Sequence, residues 1–121
     1  MLVRNILIFL LLSVVSCSHP TPIPKDRLVG VWYLERREYQ TGDEGISSVR
    51  LFFSDKYFEK TNYYNGIPII STGVYGTTDS KIIVYYDGGA IDEFRVVRVL
   101  EWSLILEKKS DSLSYVDYFV R

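Results

Sequence analysis

Nucleophilic catalysis needs a base poised against a hydroxyl or thiol, and this chain holds one histidine, His19, and one cysteine, Cys17. His19 falls in the run Ser18-His19-Pro20-Thr21-Pro22-Ile23-Pro24, which offers no packed neighbours to position an imidazole. With neither residue in the rest of the chain, Ser-His and Cys-His systems are excluded there. Two acidic pairs remain, Asp43-Glu44 in a Gly-flanked stretch and Asp92-Glu93 at the head of a β-branched run. Neighbours along a strand point to opposite faces, so Asp92 and Glu93 cannot converge on one substrate atom. Glu93 is in phase with Arg95, which suits a surface ion pair of about 0–1 kcal/mol. Asp43-Glu44 solvates its loop, and an oxygen-ligand metal site needs more convergent carboxylates than either pair supplies. The expectation is a protein that is not an enzyme, with no catalytic residue, metal or cofactor.

Polar side chains that orient a ligand by hydrogen bonding are a different matter, and they depend on the strands that carry them. From Gly30 onward, β-branched and aromatic runs alternate with turn clusters, predicting strands over Gly30–Tyr39, Ser48–Phe53, Tyr57–Tyr64, Ile67–Tyr75, Lys81–Tyr86, Ile91–Val99, Trp102–Lys108 and Ser114–Arg121. Asn65-Gly66 is a strong hairpin signal, because both positions tolerate φ > 0. Pro68 cannot donate to a ladder and marks an edge or bulge. No window carries an apolar stripe of helical period and length, apart from a single turn at Lys25 to Val29. Eight short strands joined by tight turns predict an all-β antiparallel meander that closes into an up-and-down barrel, with a two-layer sandwich as the rival. Phasing from Trp32 places Leu34, Arg36, Leu51, Phe53, Phe58, Asn62, Tyr64, Tyr75, Val84, Tyr86, Phe94, Val96, Leu104, Leu106, Tyr115 and Phe119 inside. Such aromatic filling leaves at most a shallow mouth. Arg36, Asn62, Tyr64, Tyr86 and Tyr115 are then the candidate ligand-binding residues. The alternative is that the tyrosines pack their rings and turn their hydroxyls to solvent or backbone.

The full chain of 121 residues has a formal charge of −1, and losing Arg4 with its leader leaves −2. A near-neutral chain without a basic stripe argues against nucleic acid as a partner. About one hundred residues beyond the leader suffice for one compact domain. Apolar residues are 47% and aromatics 15%, enough to fill its core.

The leader joins Arg4 to an uninterrupted apolar Ile6 to Leu12, then Ser13-Val14-Val15-Ser16-Cys17. This resembles the lipobox of bacterial lipoproteins, and two bland readings stand beside it: an ordinary secretory signal with a chance cysteine, or a short uncleaved anchor. The resemblance implies a signal peptide over 1–16, acylation at Cys17, a Pro-rich tether over 17–25 and a domain over 26–121. It also implies a lipid-anchored envelope protein, with Ser18 after the cysteine favouring the outer membrane. A tether of alternating prolines at about 3.1 Å per residue would stand the domain some way off the bilayer.

Leu28-Val29-Gly30-Val31-Trp32-Tyr33-Leu34 resembles the opening of a small bacterial lipocalin-like domain, whose first strand begins Gly-x-Trp. Phe53-Ser54-Asp55-Lys56-Tyr57-Phe58, Gly73-Val74-Tyr75, Leu104-Ile105-Leu106 and Tyr118-Phe119-Val120-Arg121 are similar to later strands of that family. The resemblance implies barrel closure by Gly30, Trp32 and an arginine across the tryptophan, with Arg121 the first candidate and Arg98 the second. The Thr-Asp-Tyr turn of lipocalins is absent; Val116-Asp117-Tyr118 echoes it inside the last strand. The expected function is a monomeric, non-catalytic binding module for a small, partly apolar ligand entering opposite Trp32. A second reading is an envelope protein-interaction module. Ser71-Thr72-Gly73-Val74-Tyr75 is similar to the loop of small lipid-anchored β-barrels that inhibit lysozyme. A structural spacer is the third.

Overall fold

The computed structural model describes residues 23–121; the leader, Cys17, His19 and the tether as far as Pro22 lie outside the described residues. One helical turn, α1 (Lys25–Leu28), leads into eight strands. These are β1 (Gly30–Thr41), β2 (Ser48–Phe53), β3 (Tyr57–Tyr64), β4 (Ile67–Thr77), β5 (Lys81–Tyr86), β6 (Ile91–Val99), β7 (Ser103–Lys108) and β8 (Ser114–Val120). Each pairs antiparallel with the next, and β8 returns to β1, so the sheet is a closed up-and-down barrel rather than a sandwich. The turns follow from their residues: Asn65 and Gly66 take φ 51° and 83°, the left-handed pair that lets a two-residue loop match strand twist. Closure uses only described strands, so residues 23–121 need no other segment to complete the sheet.

Inward side chains divide the barrel into two halves. Toward the end where the chain enters, Leu28, Trp32, Leu51, Phe53, Phe58, Tyr75, Phe94, Leu104 and Phe119 pack into one apolar cluster. Phe53 stands 5.1 Å from both Phe58 and Tyr75, centroid to centroid, which leaves this half solid. Gly73 of β4 lies opposite Phe58 and Tyr86, where a Cβ would sit 2.2 Å from the Tyr85 carbonyl oxygen.

At the closed end Gly30 adopts φ 132°, bringing the chain sharply into β1. The Trp32 indole is fully buried and its Nε1–H donates to the Leu28 carbonyl at 2.9 Å. Arg121, not Arg98, lies over it: the guanidinium is 4.2 Å from the ring centroid and donates to the carbonyls of Val29 and Glu101.

Of three register shifts in the barrel, one falls at Tyr39/Thr41 near the end of β1, and the other two break the alternation on which the inward assignments rest. Between Leu34 and Arg36 the β1–β8 register slips by one residue, inserting Glu35. Arg36 is therefore turned outward, contrary to the expectation that it points inside. Its side chain is 57% exposed, pairs with Glu38 at 2.5 Å and covers the Tyr118 ring. Arg37 takes the inward place. A second slip between Val96 and Arg98 brings Val99 against the core and leaves Arg98 exposed. The expected Glu93–Arg95 pair is also replaced. Arg95 bonds Glu107, directly opposite on β7, at 2.9 Å, and Glu93 bonds Lys81 at 2.9 Å. Cross-strand neighbours are closer than residues two apart on one strand.

Candidate functional site: a charged cup at the open end

Above the apolar half, the inward positions become ionic. Arg37, turned in by the bulge, grips Asp117 of β8 through Nε–H to Oδ1 at 2.6 Å and Nη2–H to Oδ2 at 2.8 Å. Its Nη1 donates to Glu44 at 3.1 Å and to the Tyr39 hydroxyl at 3.3 Å, and its plane lies 3.8 Å over Tyr115. Only 8% of the Arg37 side chain and 5% of Asp117 meet solvent. Burial pushes the Asp117 carboxyl up, against the hydrogen bond and charge of Arg37. Burial would lower the Arg37 guanidinium, but the bond and charge of Asp117 prevail and hold it above its ordinary value. Burial also raises the Tyr115 phenol.

Across the cup, Asp92 of β6 accepts from Lys60 at 3.3 Å, from the Tyr86 hydroxyl at 2.9 Å and from Lys108. Burial pushes the Asp92 carboxyl up, but the Lys108 bond, the charges of Lys60 and Lys108 and the Tyr86 bond outweigh it, leaving the group below its usual range. Tyr86 is raised, first by burial and then by the adjacent carboxylate. The two groups are imbalanced in opposite senses. Two ammoniums meet one carboxylate around Asp92, and one guanidinium meets two carboxylates around Arg37.

A cleft of about 450 Å³ opens through the wall beside the Asp92 group, lined by Lys60, Ile70, Ser71, Tyr86, Asp87 and Ala90 among others. It exists because β5 ends at Tyr86, opposite Gly73, whereas β4 starts six residues earlier at Ile67. That stretch of β4 pairs only with β3, and Pro68 lies on it, as the missing donor requires. Thr72 closes the lower edge, accepting the Asp87 N–H on its carbonyl and donating its hydroxyl to the Asp87 carboxylate. Asn62, two places above Lys60 on the same face of β3, has a buried Oδ1 with no hydrogen-bond partner among the described residues.

The candidate residues distribute unevenly around this site. Tyr86 lines the cleft, Asn62 stands on the inward face of β3, and Tyr115 lies under Arg37. Tyr64 is half-buried at the tip of β3, beyond the cleft lining, and Arg36 is outside the barrel. Sequence reasoning missed Arg37, Lys60, Asp92, Lys108 and Asp117. Four of these had a signal: Lys60 is in phase with Phe58, Asp92 with Phe94, Lys108 with Leu106 and Asp117 with Phe119. Arg37 had none, because no residue type announces the bulge. Glu44, read as solvating its loop, instead reaches back to Arg37, while Asp43 accepts the Gly45 N–H.

Residues 28–104 match the family model for the lipocalin-like domain. The chain belongs to the lipocalin-like domain family. The match opens at Leu28, taking in Gly30 and Trp32, and stops at Leu104, so Lys108, Tyr115, Asp117 and Arg121 lie past it. In three dimensions this lipocalin-like domain is similar to the crystal structure of a lipocalin-like protein from Bacteroides uniformis. That likeness has a TM-score of 0.60 and 20% identity, covering 78% of this chain and 98% of the other. At that identity it speaks for the fold alone. A search of curated proteins found no match. No helix among the described residues is long and apolar enough to cross a membrane.

Proposed function

We propose that this lipocalin-like domain is a non-catalytic binding module, held at the cell envelope by lipid on Cys17, that takes a small ligand through the cleft between β4 and the β5–β6 turn. The observation that carries the reading is the cleft itself, lined by Lys60, with the Asn62 Oδ1 buried two residues further along β3 and without a partner among the described residues. A buried acceptor without a donor costs about 1–3 kcal/mol, which a ligand donor would recover. Ligand pockets commonly enclose about 300–1,000 Å³ with a few convergent polar groups, and this cleft falls in that range. Lys60, Tyr86 and Asn62 would hold the polar end of the ligand, and Ile70 would cover an apolar part. The outer membrane is the membrane proposed.

Native mass spectrometry of the protein purified from its own host tests this. A retained small molecule, lost in Asn62→Leu and Lys60→Ala variants, is expected; a bare monomer in every preparation would overturn it. The anchor has a separate test. Cys17→Ser should leave the membrane fraction while staying folded, and a variant that resists a carbonate wash would sink the lipid reading.

One observation favours a second reading, a module whose outer wall binds another protein. Tyr57, Val74, Tyr85 and Ile91 pair in register across β3, β4, β5 and β6 and are all exposed, forming an apolar row on the outside. The Ser71–Tyr75 stretch runs within β4 rather than in a loop, with Gly73 and Tyr75 buried. A pull-down that recovers a stoichiometric partner from wild type but not from Tyr85→Ser would select this reading.

A further inference from the structure

We propose that the β6–β7 turn, Leu100-Glu101-Trp102-Ser103, is a lipid-surface contact that lays the closed end of the barrel on the membrane. This rests on the reading that Cys17 is lipid-anchored. The turn is tight, closed by the Leu100 N–H donating to the Ser103 carbonyl at 2.8 Å. Other turns of the barrel use the residues that turns favour: Asn65-Gly66, Asp87-Gly88-Gly89 and Ser54-Asp55-Lys56. This one has no Gly, Pro, Asn or Asp, and puts its two large apolar side chains into solvent. Leu100 is 45% exposed and Trp102 65%. The apolar surface continues beyond the turn. Val120 pairs with Ser103 on one side and Tyr33 on the other, and both Val120 and Tyr33 are exposed.

The position of this patch names its occupant. Arg121 donates to Glu101 in the turn and to Val29 just after α1, tying the turn to the point where the chain enters the barrel. Cys17 lies six residues before Ile23, and six residues span at most about 20 Å fully extended. An acylated Cys17 therefore keeps this end of the barrel within reach of the bilayer, and tethering makes a weak apolar contact effectively intramolecular. Tryptophan favours the membrane–water boundary, where its ring is buried and its N–H stays wet. Charges at this end are close to balance, with Lys25, Arg27, Lys56, Arg98 and Arg121 against Asp26, Asp55, Asp79 and Glu101. The contact is accordingly apolar and insensitive to salt or to anionic lipid. The proline tether then acts as a short leash rather than a standoff.

The test uses the acylated full chain in phosphatidylcholine vesicles, with and without bromine on the upper acyl chains. Trp32 is sealed in the core and Trp102 is exposed, so the two emissions separate. Expected is loss of the Trp102 emission in brominated vesicles at low and high salt alike, with a Trp102→Phe variant showing no loss. A chain that fails to float with the vesicles would overturn the anchor and the contact together. A chain that floats with Trp102 unquenched would overturn the contact alone. Trp102 shielded from aqueous iodide yet untouched by bromine would place a protein on the turn, and also overturns it.

Discussion

Replacing Arg37 with methionine should be among the more damaging single changes in the barrel, and a second substitution should repair it. The variant leaves the Asp117 carboxylate, 3% exposed as a residue, with neither of its two short hydrogen bonds. Breaking a buried pair from one side costs about 3–5 kcal/mol, because an uncompensated charge remains; the open side toward Glu44 places the expectation near the lower figure. For a domain of this size that is a fall in Tm of about 12–24 °C, readable by circular dichroism on residues 23–121. Arg37→Met combined with Asp117→Leu removes both charges and should return to within about 1 kcal/mol of wild type. The pH dependence supplies a second reading. Burial already raises the Asp117 carboxyl, and removing Arg37 takes away what opposes that rise. The folded state then holds a proton that the unfolded state has released, so stability falls as pH rises above the ordinary carboxylate range. The single variant should regain stability on acidification toward pH 5. Equal destabilisation of the single and double variants would refute the argument, because the loss would then come from packing rather than from a stranded charge. A single variant within about 0.5 kcal/mol of wild type would refute it as well.

Three further outcomes follow from other parts of the barrel. Arg121→Ala removes the stack on Trp32 and two carbonyl hydrogen bonds and should cost about 1–2 kcal/mol in urea denaturation, while exposed Arg98→Ala should stay within about 0.5 kcal/mol. Gly73→Ala drives a methyl into the Tyr85 carbonyl and should cost about 3 kcal/mol by the same measurement, the upper range for overpacking. Asp92 is held below its usual range, so its contribution is complete above the unfolded carboxylate value and is lost only as pH falls through the lower folded one. Lys108→Met should move that loss to higher pH in an acid titration followed by circular dichroism; an unchanged acid limb would count against the Lys108 bond.

How far residues reveal their neighbours differed sharply between elements. Tyr57–Tyr64 and Lys81–Tyr86 were legible to the residue, because β-branched and aromatic runs stop at Ser-Asp-Lys, Asn-Gly and Asp-Gly-Gly. Alternation then sorted Leu51, Phe53, Phe58, Val84, Leu104 and Phe119 correctly onto the inner face. The candidate site was only half legible. Tyr86 and Asn62 followed from parity, whereas Lys60, Asp92, Lys108 and Asp117 share that parity but are charged, and single charges inside a barrel are costly. Only the closure of the sheet shows that the costs cancel, since residues 16, 32 and 80 positions apart become bonding partners.

By itself the sequence determined the all-β class, the eight strand positions, the Trp32 closure and the apolar half of the core. Each of these is written in local patterns: turn chemistry, period-two alternation and a glycine beside a tryptophan. Tertiary structure decided the rest. One inserted residue, Glu35, turned Arg36 out and Arg37 in, and a register slip is a property of two paired strands rather than of either alone. The cleft arose the same way, from β5 stopping at Tyr86 while its neighbour β4 begins at Ile67. Relations between strands are set only when the barrel closes, and the charged cup is made of such relations.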